Sequence, residues 1–484
     1  MPSIWLNITT IHGWHRPAVG IVRVESECAS YALAQKNLPV RFCRFEAVDK
    51  TFVEVQADEV RQILERIRAR APEKVDSNAT FPATPDRDAA TAHSIPPLTA
   101  EQRAVQLAHK LINFLPSAVR QPVFRFAALR FPAFQSAARS FLEFKKATRQ
   151  FFQPESSTPN LPPPTEHTRA VAHAVAAVPF QPQDTYISLG LDWDQKDVIF
   201  LYEQRQRIGF KTLLFCYDII PVKLPHLCVG DVSAKFAMYF ANLAWSADKI
   251  QCISECSRRD LQQLLTDLGA PNPELEVIRL GCDIPSPPND EASPDVAKLL
   301  NQKYLLFVST IERRKNHETI YRAYTRLVDQ GYFGLPLLVF VGMPGWGVND
   351  LMADLRLDPR ILPYIRILNH VTDADLVHLY RNAYFTVYPS LYEGWGLPVA
   401  ESLAYGKFCL ASNSASIPEV GGNLIEYLDP WDVPKWAERL LWYIEHPTEL
   451  ADAEQRIRTQ FKPASWAECA ASILGASITR AAVA

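Results

Sequence analysis

The sequence lacks the features that would carry it into a bilayer, onto nucleic acid or into a disulfide framework. Nowhere in its 484 residues is there a run of about 18 apolar residues, the length that spans a membrane. Met1-Pro2-Ser3-Ile4-Trp5 has neither the charged start nor the long apolar core of a signal peptide, so a cytoplasmic chain is expected. The formal net charge is −3, from 50 Lys and Arg against 53 Asp and Glu, which excludes a whole-protein attraction to nucleic acid. Nine cysteines, an odd number, lie scattered. Cys252 and Cys256 are close, but no second pair completes a zinc site, and buried free thiols in a reducing compartment are expected.

What is present is length and repetition. A chain of 484 residues with 48% hydrophobic composition is too long for one compact domain, and two are expected. Short apolar β-rich runs alternate with helical patterns: strands over 4–9, 39–48, 186–191, 211–217, 249–253, 276–279, 304–309, 336–341, 365–368 and 384–388, with helices over 21–35, 57–71, 398–404, 436–445 and 466–478. Strand-then-helix order repeated in both halves predicts an α/β protein of two doubly wound parallel sheets. The expected division is 1–284, 285–464 and a terminal helix 465–484 crossing back to the first domain, with Pro285-Ser286-Pro287-Pro288 as the link.

The stretch Tyr388 to Lys407 concentrates the chemistry. A strand stops at Pro389, a loop carries Glu393, Gly394 and Gly396, and Pro398 opens a helix ended by Gly406. Strand, glycine loop and helix N-terminus make an anion site, because free N–H groups and the positive dipole end face the ligand. Glu393 and Glu401 frame it, eight residues apart. Nothing in that layout imposes the roughly 5 Å separation of a retaining glycosidase pair. A phosphate cradle with an acid at each end suits a nucleotide sugar, one acid for sugar hydroxyls and the other for ribose hydroxyls.

Glu393-x7-Glu401 within Pro-Ser-Leu-Tyr-Glu-Gly-Trp-Gly-Leu-Pro-Val-Ala-Glu-Ser resembles the signature of family 4 retaining glycosyltransferases. The likeness continues through Ser412 to Val420 and covers most of 185–475. It implies the GT-B fold, two Rossmann-like domains facing an interdomain cleft. Thr310 to Glu318 resembles the family's Glu-x-Arg-Lys-Asn loop, which implies Arg314 and Lys315 at the donor diphosphate. An arginine that some relatives hold earlier in that loop is absent, the nearest positions being Ser309 and Thr310. The three adjacent cations there would repel one another unless an anion or solvent offsets them. Asn369-His370-Val371-Thr372 stands where relatives place the nucleotide base, with His370 structural. Gly20-Ile21-Val22-Arg23-Val24 is similar to a segment of mannosyltransferase-like members, and places Gly20 at a helix entrance open to a ligand. For Arg23 itself a surface helix cation and a substrate contact are both open. Asp218-Ile219-Ile220-Pro221 is similar to the subgroup's Asp-x-x-Pro loop, with Tyr217 where many relatives carry histidine.

The resemblance implies a metal-independent hexosyltransferase. Glu393, Arg314, Lys315 and Asp218 are the expected catalytic residues. Gly20, Val371, Gly394, Gly396, Leu397, Pro398 and Glu401 join Arg314, Lys315 and Glu393 at the donor, for which GDP-mannose is favoured over UDP- or dTDP-sugars. No further cofactor is expected; Asp192 and Asp194 alone make a poor metal site. Around Ser254 to Asp260, either Ser254 or Ser257 caps a helix, with Ser257 and Asp260 spaced as in a capping box. The region 71–183 reads as an insertion, with helical segments between two Pro/Ser/Thr-rich tracts, 71–97 and 153–164. Residues 101–153 hold nine Lys or Arg against two acids, interleaved with phenylalanine. That pattern fits either a solvated hairpin or a docking element for an anionic membrane carrying a lipid-linked or other glycan acceptor. The rival to an enzyme is a membrane-docked nucleotide-sugar-binding protein without turnover.

Overall fold

The computed structural model describes residues 2–69, 178–284 and 291–478, apart from short gaps at 16–17, 19, 36, 229–231 and 346. The basic stretch 101–153, both Pro/Ser/Thr-rich tracts and Pro285 to Pro288 lie outside the described residues.

Two sheets organise the rest. The first holds β1 (Ile4–Asn7), β2 (Val40–Glu46), β3 (Thr51–Val55), β4 (Thr185–Ser188), β5 (Lys211–Cys216), β6 (Lys249–Cys252) and β7 (Glu274–Val277), in the order β3-β2-β1-β4-β5-β6-β7. The second holds β8 (Tyr304–Val308), β9 (Leu337–Val341), β10 (Ile365–Leu368), β11 (Phe385–Tyr388), β12 (Cys409–Ser412) and β13 (Glu426–Leu428), in the order β10-β9-β8-β11-β12-β13. Every pairing is parallel except β2 with β3. Counted from its first strand, the second sheet has the Rossmann order 3-2-1-4-5-6. The α/β class with two doubly wound domains is therefore as the sequence implies, the GT-B arrangement.

Burial on both faces explains the continuous apolar strands. In β8, Leu305 and Phe307 enter one core and Tyr304 and Leu306 another. In the first sheet Leu6, Ile187, Leu213 and Phe215 pack beneath helices Ile21–Ala34 and Trp466–Ile478, while Trp5, Tyr186 and Leu214 join Phe52, Phe180 and Phe210 on the opposite face. The terminal helix is pinned to the first domain where Trp466 donates its backbone N–H to Asp283 Oδ1 (2.8 Å) and its Nε1–H to Asp283 O (2.9 Å). Gly281 allows this approach, since a Cβ there would stand 2.6 Å from Trp466.

Several local readings change. β1 stops at Asn7 instead of continuing to Thr9, because Asn7 Oδ1 accepts from the Thr9 N–H (2.8 Å) and hydroxyl (2.7 Å) and turns the chain into helix Thr9–His12. β4 likewise ends at Ser188, leaving Gly190 and Leu191 in a loop and Asp192 to Gln195 in a helical turn. The edge strand β7 lies at Glu274–Val277 instead of 276–279. β3, unanticipated, forms an antiparallel hairpin on β2, with Phe45 opposite Phe52.

Candidate active site

Doubly wound sheets leave a crevice where strand order reverses, beyond the carboxyl ends of the strands. In the second sheet that point lies between β8 and β11, and the loops leaving these strands carry Glu312 to Lys315 and Pro389 to Gly396. After β8 the chain makes a 3-10 turn, Arg313–Lys315, and Asn316 at φ 60° starts helix His317–Asp329. Asn316 is locked there by donating Nδ2–H to Pro389 O (3.1 Å) and Pro430 O (2.8 Å), so the two loops are tied to each other.

That tie brings Arg314 and Lys315 onto Glu393. Lys315 Nζ donates to Glu393 Oε1 at 2.7 Å and to Tyr388 OH at 2.9 Å. Arg314 Nη1 lies 2.9 Å from the same Oε1 and 2.6 Å from Tyr392 O, while its Nη2 donates to Glu312 Oε1 at 2.6 Å. Ser390 Oγ (2.5 Å) and Tyr388 OH (3.1 Å) complete the set on Oε1. Burial works against both charges: it lowers Lys315 and would raise Glu393. Arg314 and Lys315 overcome it at the carboxylate and hold Glu393 down at about 2, so it is ionised. The expected repulsion within Arg313-Arg314-Lys315 is thus resolved internally: Arg313 faces solvent, and the other two cations are matched by Glu312 and Glu393.

The glycine loop then delivers helix Leu397–Ala404. Gly396 caps it at φ 107°, a conformation other residues adopt only under strain, and Pro398 stands in its first turn. Gly394 lies against the first domain: a Cβ there would meet Tyr217 O at 2.3 Å and Asp218 Cβ at 3.1 Å. Asp218, partly exposed, accepts from the Ile220 N–H (2.9 Å). Desolvation raises its carboxyl above the usual range, against that hydrogen bond and the charge of Arg314. Tyr217 turns its hydroxyl inward to donate to Leu189 O (2.5 Å). Its side chain is therefore occupied within the first domain.

Further contacts join the two sheets' domains around this loop. Ser257 Oγ donates to Tyr217 O (3.1 Å) and Gly394 O (3.2 Å), and the carboxylate of Glu419 accepts the N–H groups of Glu255 and Cys256 at 2.8 Å each. The capping-box reading is corrected here: Ser254 is the cap of helix Glu255–Leu268, accepting from Ser257 N, and Asp260 instead pairs with Lys223 and Tyr392. Arg23 is not a surface cation. It is buried and donates from Nη2 to both oxygens of Asp373 (2.7 and 2.8 Å), bridging the domains. Gly20 heads the helix that carries Arg23, and Val371 lies two residues before Asp373. Glu401, on the fifth residue of its helix, is also buried, accepts from Tyr380 OH (2.9 Å) and lies in the field of Arg23. Burial raises its carboxyl, and Arg23 opposes that.

Three further residues singled out in the sequence stand in other segments. Asp192 Oδ1 is held by Lys196 Nζ (2.6 Å) and Ser188 Oγ (2.8 Å), and Asp194 is exposed. His370 adopts φ 61° in the loop after β10. The sequence reading missed Glu25, whose carboxyl is fully buried beside Thr10 and Gly190 at the ends of β1 and β4. It also missed His317, stacked on Phe307 (4.0 Å between centroids) and kept neutral by burial, which lowers it to about 3.

Residues 289–460, the stretch that holds this cluster, match the family described as Glycosyl transferases group 1. The likeness covers little more than a third of the chain. Its glycosyltransferase relatives include the O-antigen chain mannosyltransferase B of Escherichia coli, 33% identical over 236 residues, which cover 48% of this chain and 60% of that protein. The serotype-specific mannosyltransferase WbdA of Escherichia coli is 29% identical over 216 residues, 43% of this chain and 26% of that one. The chain thus spans less than two thirds of either relative's length. Among solved structures, sucrose-phosphate synthase from Thermosynechococcus elongatus aligns with a TM-score of 0.48 at 18% identity, over 63% of this chain and 74% of that one. The matched stretch supplies Arg314, Lys315, Glu393 and Glu401, and the first domain faces it with Asp218 and Arg23.

Proposed function

We propose that the protein transfers a hexose, with retention of anomeric configuration and without a metal, from a nucleotide diphosphate sugar to a glycan hydroxyl. The observation that carries this reading is the convergence of Arg314, Lys315 and Glu393 at the second sheet's switch point, directly before the N-terminus of helix Leu397–Ala404. As the bond to the sugar breaks, negative charge grows on the departing diphosphate. Arg314, Lys315 and the N–H groups around Gly396 and Leu397 offset that charge, an effect typically worth several kcal/mol. Glu393 orients the sugar, Glu401 serves the nucleoside end, and Asp218 faces the incoming acceptor from the first domain. Front-face attack needs no enzyme nucleophile.

Mannose is favoured because the names of both Escherichia coli relatives specify mannosyl transfer, and the O-antigen in one of those names supports a bacterial surface glycan as acceptor. No helix among the described residues is long and apolar enough to cross a membrane. A peripheral contact with an anionic membrane would then fall to residues 101–153. The test is nucleoside diphosphate release from GDP-mannose, UDP-glucose and dTDP-glucose. Release from GDP-mannose that depends on added acceptor supports the reading; binding of every donor with no release refutes an enzyme.

A further inference from the structure

Four donors converge on one atom of the candidate site. Lys315 Nζ, Arg314 Nη1, Ser390 Oγ and Tyr388 OH lie 2.7, 2.9, 2.5 and 3.1 Å from Glu393 Oε1. None of these bonds uses Oε2. The side chains of Glu393, Lys315 and Arg314 are 9, 13 and 16% exposed, so little solvent screens them. The positive charge suited to a diphosphate is thus already matched by the protein's own carboxylates, Glu393 and Glu312. A dianionic ligand arriving there would meet Glu393 at close range in a poorly screened site, where like charges repel strongly.

The surrounding geometry lets the carboxylate leave without disturbing the cations. Arg314 stays anchored by Glu312 Oε1 and Tyr392 O, both at 2.6 Å. Lys315 keeps Tyr388 OH at 2.9 Å. Ser390 Oγ has other acceptors within reach, Arg314 O and Tyr392 O, each at 3.3 Å. Departure of Glu393 alone would strand buried positive charge, so its movement requires an anion to take its place.

We propose that Glu393 is the resident counter-ion of the donor site, occupying through Oε1 the place between Lys315 and Arg314 that the donor's diphosphate takes, and that donor binding exchanges one anion for the other and turns Glu393 toward the sugar. This rests on the assignment of Arg314 and Lys315 to the diphosphate. The exchange lowers affinity for the bare nucleotide and couples placement of the sugar-orienting acid to arrival of the phosphates. A nucleoside without phosphates meets no such competition.

Calorimetric titration of GDP, UDP and dTDP against the full chain identifies the nucleotide that binds, and the same nucleotide and its nucleoside are then titrated against three variants. Glu393→Gln should bind the diphosphate about tenfold more tightly, or better, while the nucleoside binds as before, even though transfer is lost. Ser390→Ala, which removes one of the four donors from Oε1, should tighten diphosphate binding by a smaller factor and serves if Glu393→Gln does not fold. Lys315→Ala should weaken it. Diphosphate affinity unchanged or lowered in both Glu393→Gln and Ser390→Ala, with Lys315→Ala still weakened, overturns the counter-ion role and leaves the donor assignment standing. Diphosphate binding that is indifferent to Lys315→Ala overturns the donor assignment and the exchange together.

Discussion

Glu25 gives a stability prediction that can be worked out quantitatively. Its carboxyl is fully buried; Oε1 accepts from the Ile11 N–H at 2.8 Å, whereas Oε2 has no hydrogen-bond partner among the described residues. The loop after β4 packs against it: a Cβ on Gly190 would lie 2.2 Å from Oε2. Burial raises the carboxyl from 4.5 to about 7, against the pull of Lys196 and the N–H groups of Ile11 and Thr10, with Asp192 adding to the rise. An acid raised in the folded state contributes stability below its unfolded value, here 4.5, and loses it as pH climbs through about 7. At about 1.4 kcal/mol per pH unit the loss approaches about 3 kcal/mol. Glu25→Gln keeps the shape and the acceptor for Ile11 but carries no charge at any pH. The stability of the variant relative to wild type should therefore rise between pH 5 and pH 8.5 by up to about 3 kcal/mol, and then level off. Paired urea denaturation of the two proteins across that range measures it, other titrations cancelling in the difference. A difference independent of pH would mean that Glu25 is ionised in both states, and the reasoning from burial would be wrong.

Lys315→Ala should cut turnover on the order of a hundredfold or more, while the melting temperature falls only modestly, because Arg314, Ser390 and Tyr388 still hold Glu393; steady-state kinetics beside a melting curve checks both. Glu401→Gln should weaken binding of the sugar-free nucleoside diphosphate, in contrast with the tightening expected for Glu393→Gln, and calorimetry separates the two. Asp373→Asn removes the charge opposite buried Arg23, and small-angle scattering should detect a more open chain without ligand. Activity should survive exhaustive EDTA treatment, since side-chain cations and a helix N-terminus offset the donor's charge; loss with recovery on Mn²⁺ or Mg²⁺ would contradict this.

The fold was legible because each strand of a parallel sheet covered on both faces must be apolar along its length, and runs such as Tyr304 to Val308 announce themselves. β3 was not, because Thr51 to Val55 is short and mixed, and acquires its meaning only when Phe52 meets Phe45. The loop positions of Glu393, Arg314 and Lys315 could be read from strand ends and glycines. Their mutual ion pairing could not, since it depends on Asn316 tying loops more than seventy residues apart, its Nδ2 and Pro389 being separated by 73 positions. Arg23 and Asp373 are separated by 350 positions, and a lone arginine in a helix carries no sign of its partner. Glu25 looked like any helical glutamate, because what buries it is the loop after β4, supplied far along the chain. Ser257 matched a capping pattern that Ser254, three residues earlier, satisfied first.

The most direct test of the central claim is the anomeric configuration of the product. Incubated with GDP-α-mannose and a panel of mannoside and lipid-linked glycan acceptors, the protein should release GDP in step with a new glycosidic bond whose anomeric proton and carbon signals, followed by NMR, are those of an α-mannoside. A β-linked product, or no transfer from any GDP-, UDP- or dTDP-sugar, would contradict the account.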